Sequence, residues 1–512
     1  MNNLIGIVGV SCRFPGVRGL SGLLELLRRE ETTIAAMPVL RRRLMPEGDY
    51  PHGGYFEDPS LFDAAAFGIS SSEARQMDPQ QRMALELSEE CIEDAGYSRN
   101  RVFGANSGVF AGATWREYGY DVRAAGKAAT ALAGTALGSI AGRISQSFGF
   151  TGPSLVVDSI TSSSLSAVHL ACQSLASGEC DMALALGVTL ILGPDSGEAL
   201  KAMGALSREG TIRPFDHLSD GYQRGEGVAA VLLKRLPDAL KNGDSIHATI
   251  RASAIGHNGG GSLALSTPSS EAQRRLLSEC LRRAELTPDD LAYWEAHGTG
   301  TPAGDAAEAR ALRQTMISRR EPLAIGSVKG NLGHVEAAAG IAGLLSAILV
   351  SRTRELPATR GHQQPRFSGD ELWVPTRRSP LPASSGTAVG VTSLGLAGSN
   401  ACVIIEPGTR HALHADLAPR EWAHRSYWLT DSGEEALGLR EILSSVLGWS
   451  FSVEDEAAAL LNFGMDSLTA MELETQLRSA GFRISARELL GGATLAEVES
   501  RAAASNFSEV RI

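Results

Sequence analysis

Cysteine is sparse in this chain and scattered. Cys12, Cys91, Cys172, Cys180, Cys280 and Cys402 form no CxxC pair and no Cys/His cluster with zinc spacing. That speaks against a zinc module and leaves no metal site to expect. They read as buried, reduced packing residues of a cytoplasmic protein rather than as nucleophiles. Excess positive charge is missing as well. Lys and Arg number 47 against 58 Asp and Glu, a net charge of −11, which argues against a nucleic-acid partner. No apolar run looks long enough to span a bilayer, so no membrane association is expected. The opening, MNNLIGIVGVSCRFPG, lacks the basic start and long apolar core of a signal peptide.

What is present is ordinary for packed globular domains. The 512 residues, 43% hydrophobic and 21% charged, exceed one domain, so two or more are expected. Residues 4–10 read as a buried first strand, LSGLLELLRREE as a helix, and the basic, turn-rich stretch 41–51 as a surface loop. MDPQQR, Met77 to Arg82, opens a long amphipathic helix, and SGVFAG at 107–112 reads as a buried strand. After about residue 240 a second series of strands and helices follows. Two similar halves, each covered by helices, indicate a layered α/β domain. At Pro407 the composition turns polar and His-rich, and reads as linker. Residues from about 434 to 504 then read as a small helical bundle.

One stretch stands out, SLVVDSITSSSLSAVHLACQSLASG from Ser154 to Gly178. Leu155, Val156 and Val157 suit a buried strand. Asp158 and Ser159 punctuate the chain. A helix follows that is apolar nearly all round and so buried on every side. Its first turn holds Thr161, Ser162, Ser163 and Ser164. A strand turning sharply into such a helix aims free N–H groups and a positive end at one point, a place to activate a nucleophile or hold an oxyanion.

This segment resembles the active-site segment of the ketosynthase domains of modular (type I) polyketide synthases, D-T-A-C-S-S-S-L, with the acyl-accepting Cys replaced by Thr161. CRFPG at Cys12 to Gly16, RPFD at Arg213 to Asp216 and DGYQRGEG at Asp220 to Gly227 are similar to the same family. So are EAHGTGT at Glu295 to Thr301 and KGNLGH at Lys329 to His334. The resemblance implies a thiolase fold, duplicated α/β halves layered αβαβα, with the site between the halves. It implies that His297 and His334 donate hydrogen bonds to the thioester oxygen of malonyl-carrier protein, with Lys329 orienting His334. It also implies an oxyanion hole from the backbone N–H groups of Thr161 and Leu396. Leu394 stands at the position of the family's gating Phe, and Cys402 replaces a usual His.

GMDSL at Gly464 to Leu468 resembles the phosphopantetheine attachment site of acyl carrier proteins, with Ser467 as the attachment residue and the bundle as an all-α, four-helix carrier domain. WAHRSYW at Trp422 to Trp428 resembles the tail that leads out of ketosynthase–acyltransferase units, but no acyltransferase precedes it. The expected division is therefore a ketosynthase-like domain at 1–408, a linker at 409–433, a carrier domain at 434–505 and a tail at 506–512.

Thr161 decides what activity to expect. A Cys thiol has a pKa of about 8.5, and a helix N-terminus lowers it. A hydroxyl gains no comparable ionisation and is a poor nucleophile without a bonded base. Chain elongation should be lost, whereas decarboxylation needs only the two imidazoles. Three readings follow: a malonyl-carrier-protein decarboxylase yielding acetyl-carrier protein, a non-catalytic ketosynthase that transfers or docks acyl chains, and a residual condensing enzyme acylated on Thr161. The partners implied are malonyl or acyl thioesters on carrier proteins, a trans-acting acyltransferase, a phosphopantetheinyl transferase, other polyketide synthase modules and a second copy of the chain.

Overall fold

The computed structural model describes residues 4–119, 131–261, 264–367, 369–382, 384–409, 420–429 and most of 439–506. Cα packing divides the chain into two units: Met1–Pro59, Met83–Glu117 and Ile140–Arg420 in one, Ser60–Arg82, Tyr118–Ser139 and Glu421–Ile512 in the other.

The first unit is built on a duplication that the strand pairings make explicit. From Ile5–Phe14 the order runs outward through Gly227–Arg235, Met182–Thr189, Ser107–Gly112 and Ser154–Val157. The successive pairings are antiparallel, antiparallel, parallel and parallel. From Ala248–His257 it runs outward through Ser399–Pro407, Ala388–Leu394, Leu291–Glu295 and Leu323–Gly326, with the same succession of pairings. The two inner strands join antiparallel through Ile5↔Ile250 to Ile7↔Ala248. This is the thiolase fold, its duplicated halves joined in one mixed sheet around buried central helices.

In each half a helix follows the outer parallel strand and packs into the middle of the unit. Ser163–Ser177 and Ala339–Thr353 are these two helices. Gly340 lets them approach, because a Cβ there would lie 2.6 Å from the Cβ of Leu165 and 2.8 Å from its N. Ser164 Oγ accepts the N–H of Ile341 at 3.1 Å across the same contact. The stretch Glu336–Thr353 reaches a mean hydropathy of 1.2 over 18 residues, long and apolar enough for a membrane by composition, yet 89% of it is buried inside the protein. It is a core helix, apolar on all sides because protein surrounds it on all sides.

Two expectations fail here. Among the described residues the strand Ser154–Val157 is an edge strand, paired only with Ser107–Gly112, and Leu155 is 50% exposed. An apolar run of four residues reads the same whether a second neighbour covers it or not. The 41–51 region is no simple surface loop either. Val39–Leu44 is helical, and Arg41 is fully buried. Its guanidinium donates to Glu226 at 2.6 Å and to the Ile191 carbonyl at 2.7 Å.

The second unit contains the C-terminal bundle. Among the described residues the bundle has four α-helices, Leu439–Leu447, Ser467–Ser479, Ala486–Leu490 and Leu495–Asn506. They close over Leu443, Leu473, Leu477, Leu489 and Val498. The 420–429 segment, expected as linker, is packed rather than loose. Arg425 and Ser426 pair with Phe62 and Leu61. Arg82 donates to the Tyr427 carbonyl at 2.6 Å, and Trp428 meets Tyr118 edge-on at 5.1 Å. Residues 410–419, 430–438 and 507–512 lie outside the described residues.

Candidate active site and carrier attachment site

The turn after Ser154–Val157 is held by its own hydroxyls. Ser163 Oγ accepts the Ser159 N–H at 2.9 Å and donates to the Ile160 carbonyl at 2.6 Å. Asp158 Oδ1 caps the Ile160 N–H at 3.0 Å. Ile160 takes the left-handed conformation, φ +57°, which a β-branched side chain adopts only when its surroundings impose it. Thr161 follows in a 3₁₀ turn, 7% exposed, just ahead of the helix Ser163–Ser177. Its hydroxyl is already committed, donating to the Leu394 carbonyl at 2.6 Å, while Ser393 Oγ donates to the Thr161 carbonyl at 2.8 Å.

His297 and His334 come from the second half. His297 follows Leu291–Glu295, and Glu308 holds that loop by accepting the His297 N–H at 2.8 Å and the Gly298 N–H at 2.9 Å. His334 follows Leu323–Gly326. Its N–H donates to the Gln223 carbonyl at 2.7 Å, and its Nδ1 accepts the Glu336 N–H at 3.1 Å. That bond requires the proton of neutral His334 to sit on Nε2, which makes the ring a donor there. The two rings lie edge-on, 5.3 Å apart. His297 Nδ1 is buried with no partner among the described residues.

Burial, and then the charge of Lys329, hold both imidazoles well below their ordinary pKa. They are neutral donors at pH 7. Lys329 is itself buried, with the carboxylates of Glu295, Glu308 and Asp305 opposing the burial penalty on its charge. Asp305 is pushed up to about 7, chiefly by burial, despite accepting N–H groups from Phe215 and Gly300.

Thr161, His297, His334, Leu394 and Leu396 line one pocket within the first unit. Trp115, Leu200 and Met203 supply apolar wall, and Thr299, Thr301 and Gln273 supply polar wall. Leu396 sits at the tip of the turn that Gly395 and Gly398 close, where the Gly395 N–H is used by Ser399 and the Gly398 N–H by Gly395. Lys329 and Cys402 are not among the lining residues. Cys402 is in the core beside Cys280, and burial raises its thiol pKa.

Residues 2–239 match the family model described as the beta-ketoacyl synthase N-terminal domain, and residues 247–363 match the C-terminal domain. A solved ketosynthase from module 6 of the bacillaene synthase of Bacillus subtilis 168 superposes with a TM-score of 0.72 at 33% identity, covering 79% of this chain and 72% of that one. The chain belongs to the beta-ketoacyl synthase family.

An oxazolomycin ketosynthase domain from Streptomyces albus JA3453 is similar at 34% identity, TM-score 0.74, covering 79% of this chain and 75% of that chain. Among curated proteins, a phenolphthiocerol/phthiocerol polyketide synthase component of Mycobacterium tuberculosis is 40% identical over 426 residues, which is 80% of this chain. The spectinabilin polyketide synthase system protein NorA' of Streptomyces orinoci is 38% identical over 474 residues, 89% of this chain. This ketosynthase-family chain spans 28% and 13% of the lengths of those two relatives.

Residues 438–501 match the phosphopantetheine attachment site, so the C-terminal domain carries covalent 4'-phosphopantetheine. The residues around Ser467 fit that group. Ser467 is exposed at the start of the 13-residue helix Ser467–Ser479. Asp466 caps that helix, accepting the N–H groups of Leu468 and Thr469 at 2.9 and 2.8 Å. Partial burial opposes the Asp466 charge, but these N–H groups hold its carboxyl below the usual range. A phosphodiester on Ser467 would face the positive end of the helix.

Sequence reasoning missed the carboxylates behind the imidazoles. Glu308 and Asp305 sit three apart on the helix Pro302–Met316 that follows the EAHGTGT loop, and that spacing was the available signal. Arg224 and Glu336 were also missed as a pair. They bond twice in burial, at 2.7 and 3.1 Å, and Trp115 Nε1 also donates to Glu336.

The buried imidazoles have a consequence for stability. Unfolded His titrates near 6.5, and both rings resist protonation in the fold. Their contribution is complete above that pH and shrinks as pH falls below it, because the unfolded chain then binds more protons. Asp305, raised to about 7, acts in the opposite sense and favours folding in acid. The difference between wild type and the double substitution His297→Asn/His334→Asn isolates the imidazoles. In urea titrations, wild type should lose more stability between pH 7 and pH 5 than the double variant does. Equal losses would mean that the rings are not held neutral.

Proposed function

We propose that the chain acts in polyketide biosynthesis as a non-elongating, decarboxylating ketosynthase, converting malonyl-carrier protein to acetyl-carrier protein. The observation that carries this reading is the pairing of two buried neutral imidazoles with a nucleophile position whose hydroxyl is tied to a carbonyl. The ketosynthase-like domain would span 1–408 and the carrier domain 434–505, joined by 409–433, with 506–512 as a tail.

The arm on Ser467 presents the acyl group as a thioester. In the pocket, His334 Nε2–H and His297 donate to the thioester oxygen. The bond between the malonyl carboxylate and the α-carbon breaks, and its electron pair moves toward that oxygen as carbon dioxide leaves. Preorganised donors stabilise the charge that builds there. The α-carbon then takes a proton from water, leaving an acetyl thioester. The backbone N–H groups of Thr161 and Leu396 supply the family's other anion site. Loading would come from a trans-acting acyltransferase, priming from a phosphopantetheinyl transferase, and the product would pass to another module. The working form would be a homodimer.

The direct test is to load Ser467 with malonyl-pantetheine and follow the carrier mass. Loss of carbon dioxide is expected, with Ser467→Ala as the unloaded control. A malonyl mass that persists in wild type sinks the reading. A second reading, a catalytically inert domain that transfers or docks acyl chains, is favoured by the same Thr161–Leu394 bond, since Leu394 stands at the gate. It predicts an unchanged acyl mass on the carrier.

The third reading, a condensing enzyme acylated on Thr161, lacks a base. The Thr161 proton goes to a backbone carbonyl and not to an imidazole. Thr161→Cys is therefore expected to gain an acyl adduct from an acyl thioester where wild type gains none, because a thiol at a helix N-terminus ionises and a hydroxyl does not. Peptide mass mapping reads this out, and an adduct on Thr161 in wild type would overturn it.

A further inference from the structure

Gln273 carries a buried acceptor that no described protein group uses. It lies in the first turn of the helix Ser270–Ala284, is 3% exposed and lines the pocket that holds the two imidazoles. Its Oε1 has no hydrogen-bond partner among the described residues. Two other carboxamides on the same wall are engaged. Asn400 Nδ2 donates to Asn258 Oδ1 at 2.8 Å, and Asn258 Nδ2 donates to the Thr267 carbonyl at 3.2 Å. A buried oxygen left without a donor is costly to a fold. In a pocket wall, it points to a donor that arrives from outside.

We propose that Gln273 recognises an amide N–H of the pantetheine arm that brings an acyl thioester into the pocket. This rests on the reading that carrier-bound thioesters are the substrates. The malonyl carboxylate is ionised at pH 7 and has no proton to give, so it is not the partner of Oε1. The arm has two secondary amides, each with one N–H and one carbonyl. A carboxamide complements such a group in both senses, Oε1 taking the N–H and Nε2 donating to the carbonyl. The pairing forms in a water-poor pocket, where a hydrogen bond is stronger than in water and a missing one is felt more. Gln273 is thus a specificity residue that separates pantetheine thioesters from those of shorter thiols.

The test uses the full chain with Ser467→Ala, so that its own arm does not compete. The probe is a malonyl-pantetheine analogue with NH in place of the thioester sulfur, which binds without reacting, and calorimetry measures its affinity. Gln273→Met is expected to weaken binding by about tenfold, the size of one lost hydrogen bond to a buried acceptor. Its thermal midpoint should be unchanged. Replacing the recognised arm amide N–H by an ester oxygen should weaken wild type by a similar factor and leave Gln273→Met indifferent. Equal affinities of the two chains, an undiminished ester effect in the variant, or no binding of the probe by wild type would each overturn the proposal. Decarboxylation is judged separately: a wild type that binds the probe but keeps its malonyl mass refutes the decarboxylase and leaves Gln273 standing.

Discussion

His297→Ala is expected to slow carbon dioxide release from the malonyl-loaded carrier by about 10²–10³-fold, the cost of removing one preorganised donor from a developing oxyanion. His334→Ala should act to a similar degree. The double variant should fall well short of the product of the two, because the rings serve one oxygen. The loss should be in the rate of the loaded chain, since both substitutions leave the Ser467 helix untouched. Wild-type rates should be nearly flat from pH 6 to 8, because burial and the Lys329 charge hold both rings neutral throughout that range. A sigmoidal rise with a midpoint near 6.5 would show that at least one ring titrates as if exposed. Single-turnover mass spectrometry of the loaded carrier measures all of these.

Arg41→Ala should cost about 3–5 kcal/mol, the penalty for stranding a buried carboxylate. Arg41 and Glu226 are both fully buried. Glu226 would keep the N–H groups of Phe56 and Ile191, at 2.7 and 2.8 Å, but lose its ion pair with Arg41. A surface-loop arginine would instead cost within about 0.5 kcal/mol. The urea midpoint should drop with little change in slope. Arg41→Lys should recover only part of the loss, because the guanidinium reaches the Ile191 carbonyl as well as Glu226 and an ammonium is not its geometric equal. The substitution lies outside the pocket lining, so the folded fraction should keep its activity.

His297 and Arg41 differ in how much of their setting was legible in the sequence. His297 and His334 stand in glycine-rich loops whose residue order carries the resemblance, and the structure brings both rings to one pocket. Thr161 was legible as the residue standing where the resemblance implies an acyl-accepting Cys. The duplicated halves showed as two runs of alternating strands and helices, and the C-terminal bundle showed as helical periodicity around GMDSL. Arg41 was illegible because nothing local separates a solvated arginine from one aimed at a carboxylate 185 residues away.

The sequence by itself carried most of the succession of strands and helices, the buried character of the helix that follows Asp158, and the chemical identity of the groups at the loops' ends. Those follow from periodicity and side-chain chemistry, which are local properties. Only the tertiary structure decided that Leu155 lies on an open edge, that Glu336 sets the tautomer of His334, and that the Thr161 hydroxyl is spent on the Leu394 carbonyl, 233 residues away. It alone left Gln273 with an acceptor and no donor. Each of these depends on what a distant strand or turn brings alongside, and pairing between segments far apart in the chain leaves no mark on the pattern of either one.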